Sequence, residues 1–485
     1  MTAIGWSTAI KVIGQAFKWS MTVLVIRLLT PSDYGLMAMA MVVVTFLVLF
    51  NEIGLGDVIV QRKQVGSQLL RQIFGMVLAL NVSLFLLLFI ATPLIAWSFQ
   101  EERLTSMVRV LSLEFLIMSF AIIPEALLIR KLDFKRISLI EMTADLIGGL
   151  TTLTLAWLGK GVWALVAGYM VITSVKTIGL NLAMPIFPKP SFSLKGMRQV
   201  MTFGGFLTAD RVLWFFYSQA DILIIGKLLG KELLGLYSVA RQLASIPADK
   251  TVPILIQVGF SAFSKVGDDR EEVAFYHLKT VRLLSLIAFP VFLGISCTAP
   301  ELISVVLGDK WQGAILPLQL ISLVMPLQMI STIMVPALLG MGRSDVGFRN
   351  SIVYSTIMPA AFFIGCRWGI VGVSAAWVVT FPIAWLIVTL LTLPLMGIRF
   401  SDYLSAISRP LLCGILMCGA VWGVKAVLGD SVSPVLELGI SVTTGALAYA
   451  SSVSIFNRDG VQETLDLFKR ARGRQEDESK EPLPE

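Results

Sequence analysis

The chain has 485 residues, of which 56% are hydrophobic and only 15% charged, with a mean hydropathy of +0.81. Soluble domains average about 45–50% apolar and about 25% charged, and single cores stop growing near about 250–300 residues, so a soluble globule and a disordered chain are excluded. Four cysteines exclude a disulfide-stapled secreted domain, and a net charge of +7 without an aromatic-interleaved basic patch fits the cytoplasmic loops of a polytopic membrane protein rather than nucleic-acid binding.

In chain order the sequence predicts fourteen transmembrane helices, over 3–29, 34–57, 72–98, 106–127, 136–158, 161–184, 198–225, 233–262, 275–299, 313–340, 346–366, 369–396, 407–428 and 433–456. A helical span takes about 20 apolar residues at about 1.5 Å each, longer than the alternating segments of a barrel. No basic segment or small-residue cleavage site marks the N-terminus, so the first hydrophobic stretch is expected to stay in the mature protein. Loops after even-numbered spans, with the residues flanking them, hold eighteen Lys and Arg in six loops, and those after odd-numbered spans seven in seven. Positive charge stays inside, so both termini are predicted to be cytoplasmic. The tail from Arg458 to Glu485 reads as a short interfacial helix with a disordered end.

The sequence also repeats itself. Arg27-Leu28-Leu29, Gly35-Leu36 and Ala40 return 200 residues later as Lys227-Leu228-Leu229, Gly235-Leu236 and Ala240. A looser echo links Gly161–Val166 to Gly369–Ser374. Six helices separate the echoes, an even number, so the halves share one orientation, as in a parallel repeat with a substrate site expected at the repeat interface. The predicted fold is an all-α polytopic membrane protein: two six-helix lobes in parallel repeat plus two C-terminal helices. Its domains are an N-terminal lobe over 1–184, a cytoplasmic linker over 185–197, a C-terminal lobe over 198–396, extra helices over 397–456 and a cytoplasmic tail over 457–485.

Charges inside predicted spans carry the functional signal, because each costs about 2.5–3.5 kcal/mol at a helix centre and normally faces a wet cavity or a partner. Lys11 and Lys18 lie two turns apart on one face of the first helix. With Arg211, Lys176 and Arg241 they form the expected cationic cavity, and Lys and Arg are the side chains that bind phosphate. Asp221, Asp210, Asp145 and Glu141 are the acidic set, available to pair with those cations or to bind a coupling Na+ or H+. Arg27, Asp249 and Lys250 lie near segment ends, where snorkelling accounts for them.

Enzyme signatures are scarce. The single histidine, His277, falls at a predicted cytoplasmic helix start and reads as an interfacial side chain without metal partners. Cys297, Cys366, Cys413 and Cys418 sit in hydrophobic segments and read as core thiols, with no metal-binding spacing. Neither a phosphate-cradling loop nor a nucleophile elbow occurs, so no metal or cofactor is called for and transport is not driven by ATP hydrolysis within the chain.

Residues 219–241, Gln219-Ala-Asp-Ile-Leu-Ile-Ile-Gly-Lys-Leu-Leu-Gly-Lys-Glu-Leu-Leu-Gly-Leu-Tyr-Ser-Val-Ala-Arg, resemble the helix 7–8 signature of polysaccharide transporters. These are Wzx-type lipid-linked oligosaccharide flippases of the multidrug/oligosaccharidyl-lipid/polysaccharide exporter superfamily. Leu28–Leu36 is similar to the segment after their first helix, and Asn51–Asp57 to the end of their second, with Glu52 where relatives often carry Asp. The overall pattern resembles the colanic-acid-exporter-like branch. The resemblance implies transfer of undecaprenyl-pyrophosphate-linked sugar repeat units across the bacterial inner membrane for lipopolysaccharide or exopolysaccharide synthesis. It further implies a cation-lined central cavity and alternating access coupled to an ion gradient. The implied partners are an anionic lipid-linked oligosaccharide, membrane lipids and a polysaccharide polymerase complex. A multidrug or peptidoglycan-precursor exporter of the same superfamily is the alternative, although a drug exporter for cations favours acidic cavity residues. A membrane polymerase or ligase would carry a larger periplasmic loop than any predicted here.

Overall fold

The computed structural model describes residues 19–51, 55–61, 65–193, 198–266, 269–429 and 432–457, and their side chains apart from those of 51, 55, 57, 61, 198–211 and 253–266. No strand occurs among the described residues. The helices are α1 (Trp19–Leu28), α2 (Pro31–Asn51), α3 (Leu55–Gln61), α4 (Ser67–Phe99), α5 (Arg103–Met118), α6 (Ile122–Arg130), α7 (Phe134–Trp157) and α8 (Val162–Ala183). They continue as α9 (Arg198–Leu228), α10 (Gly230–Val266), α11 (Arg270–Leu302), α12 (Ile315–Ser331), α13 (Met334–Gly340), α14 (Ser344–Gly365), α15 (Gly369–Thr392), α16 (Phe400–Leu428) and α17 (Pro434–Phe456). In a bilayer core every backbone polar group must be satisfied within the protein, which leaves helices as the solution for apolar segments of this length.

Two compact units divide the chain: Met1–Ser238 with Phe362–Ile370, and Val239–Ala361 with Val371–Glu485. In the first, α2 starts at a capping box. The Thr30 N–H and hydroxyl donate to Asp33 Oδ2 (2.9 and 2.7 Å), the Asp33 N–H donates to Thr30 Oγ1 (3.3 Å), and Pro31 occupies the first helical position. The break between α9 and α10, at Leu229, falls 200 residues after the break between α1 and α2. The two repeat segments meet each other there. A Cβ on Gly35 would run into the Lys231 carbonyl and one on Gly235 into the Pro31 carbonyl, a reciprocal contact between positions related by the same offset. Elsewhere in this unit α7 packs along α8, α4 along α5, and α2 against α5, α8 and α9. The segment 185–193 is non-helical and lies along the start of α4: the Ser191 N–H donates to the Arg71 carbonyl (2.9 Å), and Arg71 Nε to the Lys189 carbonyl (3.3 Å).

In the second unit α11 is the hub, packed against α12, α16 and α17, with α16 along α17. Prolines punctuate the helices of both units, and each one beyond the first turn of a continuous or bent helix frees the carbonyl four residues earlier. Three of those carbonyls have identifiable substitute donors. The Thr92 hydroxyl serves Phe89, freed by Pro93 (2.9 Å); Asn181 Nδ2 from α8 serves Phe120, freed by Pro124 (2.9 Å); and the Tyr449 hydroxyl from α17 serves Leu286, freed by Pro290 (2.9 Å). Such replacement from neighbouring side chains is what makes proline tolerable at membrane depth.

Among the described residues nine helical stretches are long and apolar enough to cross a membrane, ten if the pair α5 and α6, bent by 46°, forms one span. The difference from the expected fourteen has identifiable sources. The first predicted span lies largely outside the described residues, and side chains of the seventh and eighth lie partly outside them. Predicted spans 346–366 and 369–396 run on as the single stretch Ser344–Met396.

Candidate functional site

Four constellations of intramembrane polar residues emerge, three of them in the first unit. Asp221, on α9, is fully buried. The Tyr237 hydroxyl from the first turns of α10 donates to its Oδ2 at 2.6 Å, and the Ile222 N–H donates to Oδ1 at 2.8 Å. Both side chains come from the 219–241 stretch, so a local hairpin is enough to bring them together. Phe215, one and a half turns before Asp221, is buried against Phe46 of α2, their ring centroids 5.1 Å apart.

The second constellation joins α6, α7 and α8. Lys176 Nζ lies 3.0 Å from Glu125 Oε1 and 3.3 Å from Glu141 Oε1, with Lys176 and Glu125 each 31% and Glu141 49% exposed. Lys176 and Glu141, expected in opposite roles as substrate cation and coupling carboxylate, are therefore partners, in a group with one positive and two negative charges. Asp145 sits one turn beyond Glu141, half-buried. Toward the middle of the same unit the Tyr169 hydroxyl of α8 donates to Glu114 Oε1 of α5 at 2.6 Å; Glu114 is 4% exposed.

The fourth lies in the second unit. Lys425 Nζ of α16 donates to Glu301 Oε2 (2.6 Å) and to the Cys297 carbonyl (2.7 Å), both at the C-terminal end of α11. Arg241, half-buried on α10, also belongs to this unit. His277 corrects the interfacial expectation: it is fully buried, its ring stacked on that of Tyr403 with centroids 5.9 Å apart and planes 18° apart. Tyr403 and Trp385, both buried, supply the aromatic packing that draws the imidazole inward. Cys297, Cys366 and Cys413 are buried and Cys418 half-buried, all as free thiols. No group of three or more His, Cys, Asp or Glu able to hold a metal ion occurs among the described residues.

Asp210 and Arg211 fall on α9, where the backbone but not their side chains is described; Lys11 and Lys18 lie outside the described residues altogether. The structure adds residues that the sequence reading passed over, Glu114 with Tyr169, Glu125 and Glu301, and it places two cations counted there as loop charges in ion pairs: Lys425 with Glu301, and Lys231 with Glu101 at 2.6 Å. Glu114 stands alone in Val-Leu-Ser-Leu-Glu-Phe-Leu-Ile-Met, and a single carboxylate in such a run is a signal in itself. An apolar groove of about 390 Å³ on α7, lined by Ile147, Leu150, Thr151, Thr154 and Leu155, contains none of these charges.

Comparison with known proteins gives this arrangement its context. The lipopolysaccharide biosynthesis protein WzxC of Escherichia coli (strain K12) is 26% identical over 398 residues, covering 80% of each chain. The succinoglycan biosynthesis transport protein ExoT of Rhizobium meliloti (strain 1021) is 24% identical over 478 residues, covering 97% of this chain and 96% of ExoT. Among solved structures, the lipid II flippase MurJ in an inward closed conformation matches with a TM-score of 0.77 at 14% identity, over 93% of this chain and 99% of MurJ, which shows a shared fold. Residues 24–316 match the profile of the family described as polysaccharide biosynthesis protein. This chain, a multi-pass membrane protein with a MurJ-like helical fold, belongs to that polysaccharide biosynthesis family.

Proposed function

We propose that the protein carries an anionic, lipid-linked oligosaccharide across the bacterial inner membrane, sugar passing through a wet path while the lipid tail stays in the bilayer. The carrying observation is the family membership together with near full-length similarity to a protein named for succinoglycan transport. Charges held inside the helices at energetic cost agree with a polyanionic head group as cargo. Lys11, Lys18, Arg211 and Arg241 are the cations assigned to the pyrophosphate, and Lys and Arg suit it as point charge and bidentate donor respectively. Lys176 joins them only when it leaves Glu125 and Glu141. In this reading the protein is a transporter with no covalent chemistry of its own, its termini are cytoplasmic, and an H+ or Na+ gradient drives alternating access.

The reading is tested by binding. Purified full-length protein is expected to bind undecaprenyl-pyrophosphate-linked oligosaccharide in preference to organic cations, and replacing Lys18 or Arg211 by Ala to weaken that binding while the protein remains in the membrane. Preference for organic cations would instead identify a drug exporter.

A further inference from the structure

A carboxyl group buried in the first unit has one oxygen satisfied and one not. Glu114 Oε1 accepts the 2.6 Å bond from the Tyr169 hydroxyl, whereas Oε2 is buried with no hydrogen-bond partner. Glu114 lies eleven residues into α5 from Arg103, and Tyr169 seven residues into α8 from Val162, distances of about 16 Å and about 10 Å along the helices. The pair therefore lies well away from the N-terminal ends of both helices. Glu114 also sits one turn before the Ser119–Ala121 break, where α5 bends by 46° into α6.

We propose that Glu114, held by Tyr169, is a proton-binding site in which Oε2 takes up and releases one proton during the transport cycle. The proposal deepens the transport reading above and rests on it, naming the coupling ion and a residue that carries it. A charged oxygen buried without a partner is costly, and a proton on Oε2 removes that charge without requiring space for an ion. The step balances simply: a proton from water bonds to Oε2, the carboxylate becomes a carboxylic acid, and Tyr169 keeps its own proton and goes on donating to Oε1. A metal ion would need several oxygen ligands, whereas the hydrogen-bond partner of Glu114 among the described residues is a phenol that is donating.

The charged and titratable groups on the helices packed against α5 are engaged elsewhere or distant. On α2, Asp33 is bonded to Thr30 and followed by Tyr34; on α4, Arg71 is bonded to the Lys189 carbonyl. On α8, Lys176 is held by Glu125 and Glu141, which leaves Tyr169 as the group facing Glu114. On α5 itself, Arg103 opens the helix and Arg109 Nε reaches Thr92 Oγ1 at 3.3 Å. Among the described residues, then, no cation neutralises Glu114.

Infrared difference spectra of the purified full-length protein in lipid nanodiscs, recorded between acid and alkaline pH, test this directly. The wild type is expected to show a protonated-carboxyl C=O band that Glu114→Gln abolishes and that Tyr169→Phe moves, because the bond to Oε1 is gone. Glu114→Asp, which keeps the acid but withdraws it from Tyr169, serves if Glu114→Gln does not fold, and it too must move the band. A spectrum unchanged by these substitutions overturns the proposal. So does a response of the Glu114 carboxylate bands to sodium at fixed pH, which would indicate a metal-ion site. The spectra need no substrate: a protein that shows the Glu114 band yet moves no lipid-linked sugar overturns the transport reading alone, and one that transports with no such band overturns the proton site alone.

Discussion

Lys425 and Glu301 show what a charge inside this protein depends on. The two side chains are 17% and 9% exposed, and Lys425 also satisfies the Cys297 carbonyl. Removing one member of a buried pair leaves the other charge uncompensated, at a cost of about 3–5 kcal/mol, whereas replacing both with apolar residues is far milder. Lys425→Met is therefore expected to lower the melting temperature of the purified protein sharply, and the double variant Lys425→Met/Glu301→Leu to recover most of the loss; equal losses would show that the pair does not hold α16 to α11. Asp221 makes a related prediction in the first unit. Asp221→Asn keeps an acceptor for Tyr237 and is expected to fold normally, while Asp221→Ala removes that acceptor at a cost of about 1 kcal/mol, measured by the same thermal assay. The Asp221–Tyr237 pair was within reach of the sequence, since sixteen residues and one hairpin separate its members. Lys176 with Glu125 and Glu141 was not, because pairing across three helices depends on how they are packed and leaves no local pattern.

At the scale of elements, the repeat visible in the sequence acquires a physical reason. Gly35 and Gly235 recur because the two repeat segments cross with backbone against backbone, and each glycine makes room for a carbonyl of the other segment. Backbone cannot yield as a flexible side chain can, so Gly35→Val and Gly235→Val are each expected to reduce the yield of folded protein, overpacking costing about 1–3 kcal/mol or more. Gly419→Ala, where the added methyl meets open space, is the matched control, and fluorescence-detected size-exclusion chromatography of tagged variants reads all three. The substitute donors at the prolines are equally specific. Tyr449→Phe removes the bond to the Leu286 carbonyl and is expected to destabilise the protein by about 1 kcal/mol, with Pro290→Ala in the same chain removing the need for that donor. Most of the described long helices were legible from hydropathy alone; the break of the predicted span 106–127 at Ser119–Ala121 was not, although Pro124 lies just after it. Which side chain would serve the freed carbonyl was beyond the sequence, because Asn181 arrives from a helix some sixty residues away.

For the whole molecule, composition already required a membrane protein, and the charge asymmetry of its loops gave the expected orientation. The helical fold follows from the bilayer's demand for internal hydrogen bonding, and its likeness to MurJ extends over nearly the entire chain. The family to which the chain belongs is one of polysaccharide biosynthesis proteins. The most direct test is to delete the gene in its host and determine which lipid-linked sugars accumulate and on which leaflet. Build-up of undecaprenyl-pyrophosphate-linked repeat units on the cytoplasmic leaflet, with loss of surface polysaccharide, is the predicted result. Normal surface polysaccharide with no accumulated lipid-linked sugar would contradict it.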